Sequence, residues 1–463
     1  MTNRIRSPRA VPARMPDRAK PCSRAPQDLP SPRCALSGLG HHGRGRGEWG
    51  VTLVLAGLMV LALPGCTTSH GKRVGYRYNP DYGVASPQFE QTLMGQASGL
   101  IPGNRARLLN NGDAFFPAML EAIQNARDSV NIELYIFARG RIGEQVTAAL
   151  CAKAREGVQV RVLVDAVGSR TGGLDRRMMA AGVHFRRYKP VTIPTITKTG
   201  DRTHRKIVTI DGRIGFTGGF AVDDRWQGNV RNSGEWREVV LEIEGPVVQQ
   251  LQRTFCENWL YATGEVIDGP GQFPDPVPVG DLKAQAVGST RTSQLSMAKL
   301  HHYLPIQAAR ERVWIANAYF LPDRDFRRAL CAAARRGADV RLLLPGRHND
   351  LKTVRYASRR DYRKFLEAGV KVYEYRPSML HTKMMIVDSI WTSIGSVNFT
   401  SRSMKAQAEA NLAIYDQGFA RQAEAVIEED FCDSDCMDLA SWRRRGLCER
   451  MKELYFSLYK RLF

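Results

Sequence analysis

Hydrophobic positions along this chain change between two spacings, and the order of the changes predicts its elements. FFPAMLEAIQNA places Phe116, Leu120 and Ile123 on one helical face, and the apolar run SVNIELYIF that follows is typical of a strand. IGEQVTAALCAKAREG returns to helical spacing and ends at Gly157. VQVRVLVDA comes next and predicts a buried strand. Strands that alternate with helices indicate an α/β fold in which helices flank a sheet.

The same pattern occurs twice in the chain. ALCAKAREGVQVRVLV begins at Ala149 and ALCAAARRGADVRLLL begins at Ala329, so the period is about 180 residues. VWIANAYFLPD, which starts at Val313, supplies the first strand of the second copy. We therefore predict two repeated domains, each a helix-flanked β-sheet.

Composition divides the chain further. Four prolines between Gly269 and Gly280 mark a linker between the repeats. The predicted segments are 1–50, a disordered basic extension; 51–66, a signal peptide with a lipobox or a membrane anchor; 67–100, a linker; 101–265, the first repeated domain; 266–280, the proline-rich linker; 281–435, the second repeated domain; and 436–463, a basic amphipathic tail.

The apolar segment Val51–Leu63 contains thirteen residues without a charge, which is short for a membrane span and suits the core of a signal peptide. Arg44 and Arg46 precede it, and LPGC ends it at Cys66. This resembles a bacterial lipoprotein box, in which the cysteine carries the lipid. The alternatives are an uncleaved N-terminal anchor and a buried core helix. With either a lipoprotein or an uncleaved anchor, the body of the protein lies beyond the inner membrane.

The C-terminal residues LCERMKELYFSLYKRLF place Leu447, Met451, Leu454, Leu458 and Leu462 on one helical face, with Lys and Arg opposite. Such a helix either lies on an anionic membrane or docks on the protein, and the sequence leaves both open.

The net charge and the cysteines restrict the possible binding partners and metal ions only partly. A net charge of +21 suits phospholipid surfaces, phosphodiesters or nucleic acid, and does not choose among them. Cys432, Cys436 and Cys448 could form a disulfide in an oxidising compartment, but no further His or Cys completes a zinc pattern. We expect no metal and no cofactor.

The stretch HTKMMIVDSIWTSIGSVNFTSRSMKAQAEAN, from His381 to Asn411, carries the chemistry. MMIV and IWTSIG predict two strands joined at Asp388. Residues two apart on a strand face one side, so His381 and Lys383 project together. An imidazole can attack phosphorus while an ammonium balances charge on the phosphoryl oxygens, so the pair suits a phosphate diester.

An earlier copy of this arrangement reads HRKIVTIDGRIGFTGGF, from His204 to Phe220. His204 and Lys206 are again two apart, and Asp211-Gly212 is a strong hairpin-turn signal. Each copy carries a glycine seven residues after its aspartate, at Gly218 and Gly395.

Two HxKxxxxD motifs in one chain resemble the phospholipase D superfamily, and its bacterial cardiolipin synthase branch in particular. The resemblance covers about residues 100–430 and also rests on GSVN and EWREVVLEIEGPVV. It implies two phospholipase D-type domains related by a pseudo-twofold axis, with one active site between them and a monomeric chain.

The resemblance also implies roles. His204 is the expected nucleophile, His381 the acid and then the base, and Lys206 and Lys383 neutralise the phosphoryl oxygens. Glu409 follows His381 by 28 positions and Glu238 follows His204 by 34, so each is expected to fix the histidine of its own repeat. The expected phosphate contacts are Gly218, Ser396 and Asn398. We expect Asp211 and Asp388 to hold their hairpins and the charge network rather than touch substrate.

The first copy departs from the family pattern at Ala221, where many relatives carry asparagine. The leading function is phosphatidyl transfer between two phosphatidylglycerol molecules, which yields cardiolipin through a covalent phosphohistidine. The alternatives are a phospholipase D that hydrolyses head groups, a phosphodiesterase or nuclease, and a non-catalytic lipid-binding module. The expected partners are an anionic phospholipid and a membrane surface, not nucleic acid, at the periplasmic side of a bacterial membrane.

Overall fold

The computed structural model describes residues 75–96, 98–190, 201–290 and 296–462. The predicted basic extension 1–50 and the apolar segment with Cys66 lie outside these residues. Within the described ranges, no helix is both long enough and apolar enough to cross a membrane.

Residues from Tyr76 onward form one unit built around a single sheet. The strands that the structure describes lie in the order β15-β11-β10-β9-β12-β13-β14-β8-β1-β7-β6-β5-β2-β3-β4. Read outward from the β1–β8 pair, the order 7-6-5-2-3-4 in one direction matches 14-13-12-9-10-11 in the other. The predicted duplication is therefore confirmed as two α/β halves that share one sheet.

The first half contains the elements that the sequence pattern predicts. The helix predicted to end at Gly157 is α3, and Gly157 closes it with a φ of +92°, a conformation that glycine adopts at little cost. Its strands and helices are β1 (Ile101–Asn110), α2 (Asn111–Gln124), β2 (Ser129–Leu134), α3 (Arg141–Arg155), β3 (Gln159–Asp165), α4 (Leu174–Ala180), β4 (His184–Tyr188), β5 (Ile207–Ile210), β6 (Ile214–Gly218), β7 (Val239–Glu244) and α5 (Val248–Thr263).

The second half repeats this series. Its α7 helix begins with the Asp323 carboxylate accepting from the N–H groups of Asp325 and Phe326, and it ends before Gly337 at φ +101°. Its elements are β8 (Leu282–Ser289), α6 (Met297–Ala308), β9 (Arg312–Asn317), α7 (Arg324–Arg335), β10 (Asp339–Pro345), α8 (Lys352–Glu367), β11 (Lys371–Tyr375), β12 (Lys383–Val387), β13 (Trp391–Gly395), α9 (Ser401–Lys405), β14 (Glu409–Tyr415), α10 (Gln417–Cys432) and β15 (Ser434–Met437).

The two halves are joined by a shared hydrophobic core as well as by the β1–β8 pair. Leu241 and Phe255 of the first half belong to the same buried cluster as Trp314, Ile386 and Leu412 of the second. Burial of apolar surface is the main stabilising term in folding, so neither half is a closed body by itself.

Two predicted segments differ in the structure. The expected linker 67–100 contains a helix, α1 (Pro87–Gln96), and its Phe89 and Leu93 are fully buried in the core of the second half. In the proline-rich linker, Gln272 is buried, and its side chain bonds to Asn131 and Gln252 of the first half. Both segments lack an obvious apolar period, because only three of the described residues in each are buried: Val84, Phe89 and Leu93 in the first, and Ile267, Gln272 and Pro274 in the second.

The C-terminal tail packs on the second half through α11 (Leu439–Arg444) and α12 (Leu447–Ser457). Trp442 is buried against Tyr362, and Phe456 stacks on Tyr356 of α8. The tail therefore docks on the protein, but it does so through residues other than the predicted leucine face.

Candidate active site

Each His-Lys motif lies at the start of a strand in the middle of its half. His204 precedes β5 and His381 precedes β12. The His204 N–H donates to the carbonyl of Ala408, and the His381 N–H donates to that of Arg237, each over 2.8 Å. Both motifs are thus hydrogen-bonded to the opposite half, which brings them to the boundary between the halves.

His204 and His381 line one cavity of about 280 Å³, together with Lys206. Both histidines and both motif lysines are at most 7% exposed. The other residues that line it are Tyr135, Ile136, Ala221, Arg225, Trp226, Trp236, Tyr319, Asp350, Leu351, Val354, Asn398, Thr400, Arg402 and Gln407.

The glutamates pair with the histidines across the halves. Nδ1 of His204 lies 3.0 Å from Glu409 Oε2, and Nδ1 of His381 lies 2.9 Å from Glu238 Oε2. The pairing expected within each repeat is therefore wrong. β7, which follows Glu238, is separated from β5 by β6, roughly 10 Å away at the usual strand spacing, whereas the boundary contacts bring Glu238 directly beside His381.

The two carboxylates differ in their other partners. Glu409 accepts hydrogen bonds from the hydroxyls of Ser396 (2.5 Å) and Ser403, and thus has three side-chain donors with His204. Glu238 accepts from the indole Nε1 of Trp226 (3.3 Å) and from the N–H of Val239 (3.1 Å). The site is symmetric in its His-Glu pairs and asymmetric in what surrounds them.

Each motif lysine is hydrogen-bonded to the backbone of its own histidine. Lys206 Nζ donates to the carbonyl oxygen of His204 (2.7 Å), and Lys383 Nζ donates to that of His381 (2.5 Å). Lys383 Nζ also lies 3.0 and 3.1 Å from the two ring nitrogens of His381, a position above the ring rather than in its plane. Burial lowers the pKa of Lys206 to about 7 and that of Lys383 to about 8.

Burial also controls the histidine-glutamate pairs. It lowers the pKa of His204 to about 4, against the opposing attraction of Glu409. Burial, reinforced by the charge on Lys383, lowers the pKa of His381 well below its ordinary value. Burial raises the pKa of Glu238 to about 7. At neutral pH both imidazoles are therefore neutral, and the Glu238–His381 pair retains a proton up to about pH 7.

The motif aspartates lie at the hairpin turns and not in the cavity. The Asp211 carboxylate accepts from the N–H groups of 127–129, and the Asp388 carboxylate from those of 310–312, over 2.8–2.9 Å. Each aspartate therefore ties its hairpin to the start of the neighbouring strand, β2 or β9.

Of the three expected phosphate contacts, only Asn398 lines the cavity. Its Oδ1 is buried and has no hydrogen-bond partner among the described residues. Ser396 differs from the expectation because its hydroxyl is committed to Glu409. Gly218 differs because it pairs with Val240 within the sheet. Ala221, where the motif departs from the family pattern, also lines the cavity. The side-chain amide that an asparagine would supply at this position is therefore absent from the site.

Sequence reasoning missed several residues in and around the cavity. A Cβ at Gly219 would lie 2.5 Å from Glu238 Oε2 and 2.8 Å from the His381 carbonyl, so this glycine permits the close approach of the halves. Tyr135 and Tyr319 have their rings 5.4 and 6.0 Å from His204 and His381. Tyr135 follows β2 and Tyr319 follows β9, the corresponding strand of the second repeat. This repeated position could have identified both tyrosines from the sequence.

The remaining expectations concern cysteines and metals. Cys66 lies outside the described residues. Cys436 and Cys448 are exposed, and no disulfide joins them. In the described ranges, no group of three His, Cys, Asp or Glu side chains is arranged to hold a metal ion.

Two His-Lys pairs that face one cavity inside a duplicated α/β fold define a protein of the phospholipase D class. A family model described as "Cardiolipin synthase, PLD-like domain" matches residues 119–259 and 305–431, more than half of the chain. The chain belongs to this family of phospholipase D-like proteins.

Relatives and a solved structure agree with this membership. Cardiolipin synthase 2 of Bacillus anthracis is 36% identical over 357 residues, which cover 76% of this chain and 69% of the relative. Cardiolipin synthase A of Pseudomonas fluorescens is 37% identical over 343 residues, covering 72% and 69%. The crystal structure of phosphatidylserine synthase of Haemophilus influenzae matches with a TM-score of 0.61 at 13% identity, over 81% of this chain and 97% of that one, and shows the shared fold.

Proposed function

We propose that this protein is a phosphatidyltransferase that makes cardiolipin and glycerol from two molecules of phosphatidylglycerol. The observation that carries the proposal is that His204 and His381, each bound to a buried glutamate, line the same cavity. One phosphodiester in that cavity would be within reach of a nucleophile and of an acid. The family membership and the relatives named cardiolipin synthase support the choice of substrate.

The first step is transfer of the phosphatidyl group to the enzyme. Nδ1 of His204 is occupied by Glu409, which leaves Nε2 to attack phosphorus. A P–N bond forms and the P–O bond to glycerol breaks. His381 gives its proton to the departing glycerol oxygen, and the Glu238–His381 pair is the source of that proton.

The second step regenerates the enzyme. The terminal hydroxyl of a second phosphatidylglycerol gives its proton to His381 and attacks phosphorus, the P–N bond breaks, and cardiolipin leaves. Lys206 and Lys383 stabilise charge on the non-bridging oxygens in both steps, and a bound phosphate raises the pKa of both lysines. Water in place of the second lipid would give phosphatidic acid, so the acceptor alone distinguishes transfer from hydrolysis.

The unequal environments of the two glutamates support His204 as the nucleophile. Three side-chain donors stabilise Glu409 as a carboxylate, and a carboxylate at Nδ1 stabilises the cationic phosphohistidine. Glu238 has an indole N–H and a backbone N–H instead, and its raised pKa suits a pair that carries and exchanges a proton.

The function is tested by incubating the purified protein with phosphatidylglycerol labelled in its acyl chains. We expect cardiolipin as the product and a loss of several orders of magnitude in His204→Ala and in His381→Ala, because residues that act as a unit fail together. His184→Ala, on the exposed face of β4, is the matched control and should keep full activity. Labelled phosphatidic acid as the main product would instead identify a hydrolase.

We further propose that the protein acts at the periplasmic side of a bacterial membrane and is anchored through lipid on Cys66. The short apolar segment, the preceding arginines and the cysteine support this location. Cells grown with a clickable palmitate analogue should label the wild type and not Cys66→Ser, whose precursor should remain larger. Label that persists in the variant would favour an uncleaved anchor.

A further inference from the structure

We infer that α12 and a basic pocket at its side form a docking surface for an anionic phospholipid bilayer, next to the mouth of the active-site cavity. This inference rests on the proposed function, because it states how a membrane substrate would be presented to the site.

The apolar face of α12 is turned away from the protein. Leu447, Met451, Leu454 and Leu458 are 73, 57, 42 and 71% exposed. The face that contacts the body of the protein carries Glu453 and Phe456. An exposed row of leucines on a helix that is already docked through its other face indicates a second contact surface.

The basic pocket lies between α8 and the α11–α12 segment and has a volume of about 510 Å³. Its acidic members already have partners, since Glu453 pairs with Arg445 (2.6 Å) and Asp361 with Lys460 (2.7 Å). The cationic side chains that line it are Arg360, Arg363, Lys364, Arg443, Arg445 and Arg450.

Arg360 and Lys364 identify the ligand chemistry. Both are exposed, and among the described residues neither has an acidic side chain within ion-pair distance. Arg450 likewise has no acidic partner among the described residues and donates only to the carbonyl of Arg443. Several cations around one concave site, three of them without an acidic partner, suit a phosphate group. The apolar face beside the pocket selects the phosphate of a lipid over free phosphate, because only a lipid offers apolar chains to the leucines.

The arrangement of α12 matches an interfacial helix. At 100° per residue, Arg450 lies roughly 65° from the centre of the row formed by Leu447, Met451 and Leu454, whereas Lys452 lies roughly 130° away, on the side of Phe456 and Tyr356. A cation beside an apolar stripe can reach head groups while the stripe enters the boundary of the acyl chains.

The docking surface also lies close to the cavity. Phe456, at the C-terminal end of α12, packs on the cluster of Leu321, Val354 and Ala357. Val354 and the exposed Leu351 line the cavity that holds His204 and His381. A bilayer on α12 would therefore lie beside the cavity mouth, where phosphatidylglycerol could enter from the membrane plane.

The test is site-specific photocrosslinking of the full chain, reconstituted in bilayers of phosphatidylcholine with or without phosphatidylglycerol. Leu454→p-benzoylphenylalanine should form lipid adducts, detected by mass spectrometry, and more of them when phosphatidylglycerol is present. Arg360→Glu combined with Lys364→Glu should lower this yield by roughly thirtyfold or more, because each basic residue near an anionic surface contributes about 1 kcal/mol. Arg155→Glu with Arg176→Glu, exposed arginines of the first half, is the matched control and should leave the yield unchanged.

Three results would overturn the inference. One is crosslinking of position 454 to a second copy of the chain or to residues 51–63 in place of lipid. Another is a lipid yield that does not respond to the charge reversal at Arg360 and Lys364. The third is an equal yield with and without phosphatidylglycerol. Crosslinking needs no turnover, so lipid adducts on a protein that makes no cardiolipin would contradict only the proposed function, and active protein without adducts would contradict only this inference.

Discussion

Single residues in this site act through their hydrogen-bond partners more than through their positions in a motif. Glu238 and Glu409 are both buried acids beside a histidine, yet one has hydroxyl donors and the other an indole. A carboxyl group held by two hydroxyl donors and one whose pKa is raised to about 7 are different reagents. This difference supports the separate roles proposed for the two histidines, which the near-identical motifs do not distinguish.

The crossed pairing predicts which glutamate serves the covalent step. With a phosphatidyl ester of p-nitrophenol, whose departure needs no acid, Glu409→Gln should slow phosphoenzyme formation on His204 by roughly 10² to 10⁴. Glu238→Gln should leave that step nearly unchanged. Rapid quenching with labelled substrate measures both rates, and circular dichroism checks the folding of each variant. If Glu238→Gln were the slow variant, Glu238 and not Glu409 would serve His204.

The pKa values predict a bell-shaped dependence of kcat/KM on pH. Activity should fall below about pH 4, where His204 in the free enzyme becomes protonated. It should also fall above about pH 7 to 8, where the Glu238–His381 pair loses its proton and Lys206 and Lys383 lose their charge. The profile of kcat should extend further into the alkaline range, because bound phosphate raises the pKa of the lysines. A kcat/KM that rises steadily to pH 10 would contradict this assignment.

The sequence predicted the four motif residues because each pair is local, two positions apart on one strand. It did not predict the glutamate partners, since distance along the chain does not report which strands meet at a boundary between halves. Gly219 was missed for the same reason, because the groups that crowd it, Glu238 and the His381 carbonyl, come from other segments.

At the scale of elements, the two motif hairpins are fixed by their aspartates. Asp211 and Asp388 each have a positive φ, +50° and +49°, and each carboxylate accepts three backbone N–H bonds. These bonds stabilise the hairpin that carries each His-Lys pair, and the aspartates themselves do not line the cavity.

Asp388→Ala should therefore lower the free energy of unfolding, by about 1–3 kcal/mol for the amides left without acceptors, while the residual folded protein keeps its activity. Urea unfolding followed by circular dichroism gives the first quantity, and a phosphatidylglycerol assay at low temperature gives the second. If the variant kept its stability but lost as much activity as His381→Ala, Asp388 would take part in the reaction itself.

The helices and strands with a clear period were predictable, and the segments without one were not. α3 and β3 follow their pattern because each buries a continuous face or strand. The 76–100 segment packs through isolated side chains such as Phe89, which leave no period to detect. The leucine face of α12 was correctly predicted as a face, but amphipathicity alone does not determine which side meets the protein.

At the scale of the whole molecule, the site is built from both halves of one chain. Each histidine takes its carboxylate from the other half, and the shared core holds the halves together. Within the described residues, all the proposed catalytic groups come from this one chain.

A mixture of His204→Ala and His381→Ala proteins should therefore remain inactive. Co-expression of the two variants, followed by purification through separate tags and a cardiolipin assay, tests this expectation. If halves from different chains exchanged, activity should recover to about a quarter to a half of the wild-type value. Such recovery would show that one site can form from two chains.

The crossed carboxylates also affect the chain while it is being made. A ribosome synthesises the first half before the second, so His204 and Lys206 exist for some time without Glu409, Ser396 or Ser403. An unfinished chain therefore contains His204 without Glu409 to orient it, and it lacks His381, the proposed acid for the leaving group. The transfer reaction proposed above therefore requires the second half, which supplies Glu409, Ser396 and Ser403.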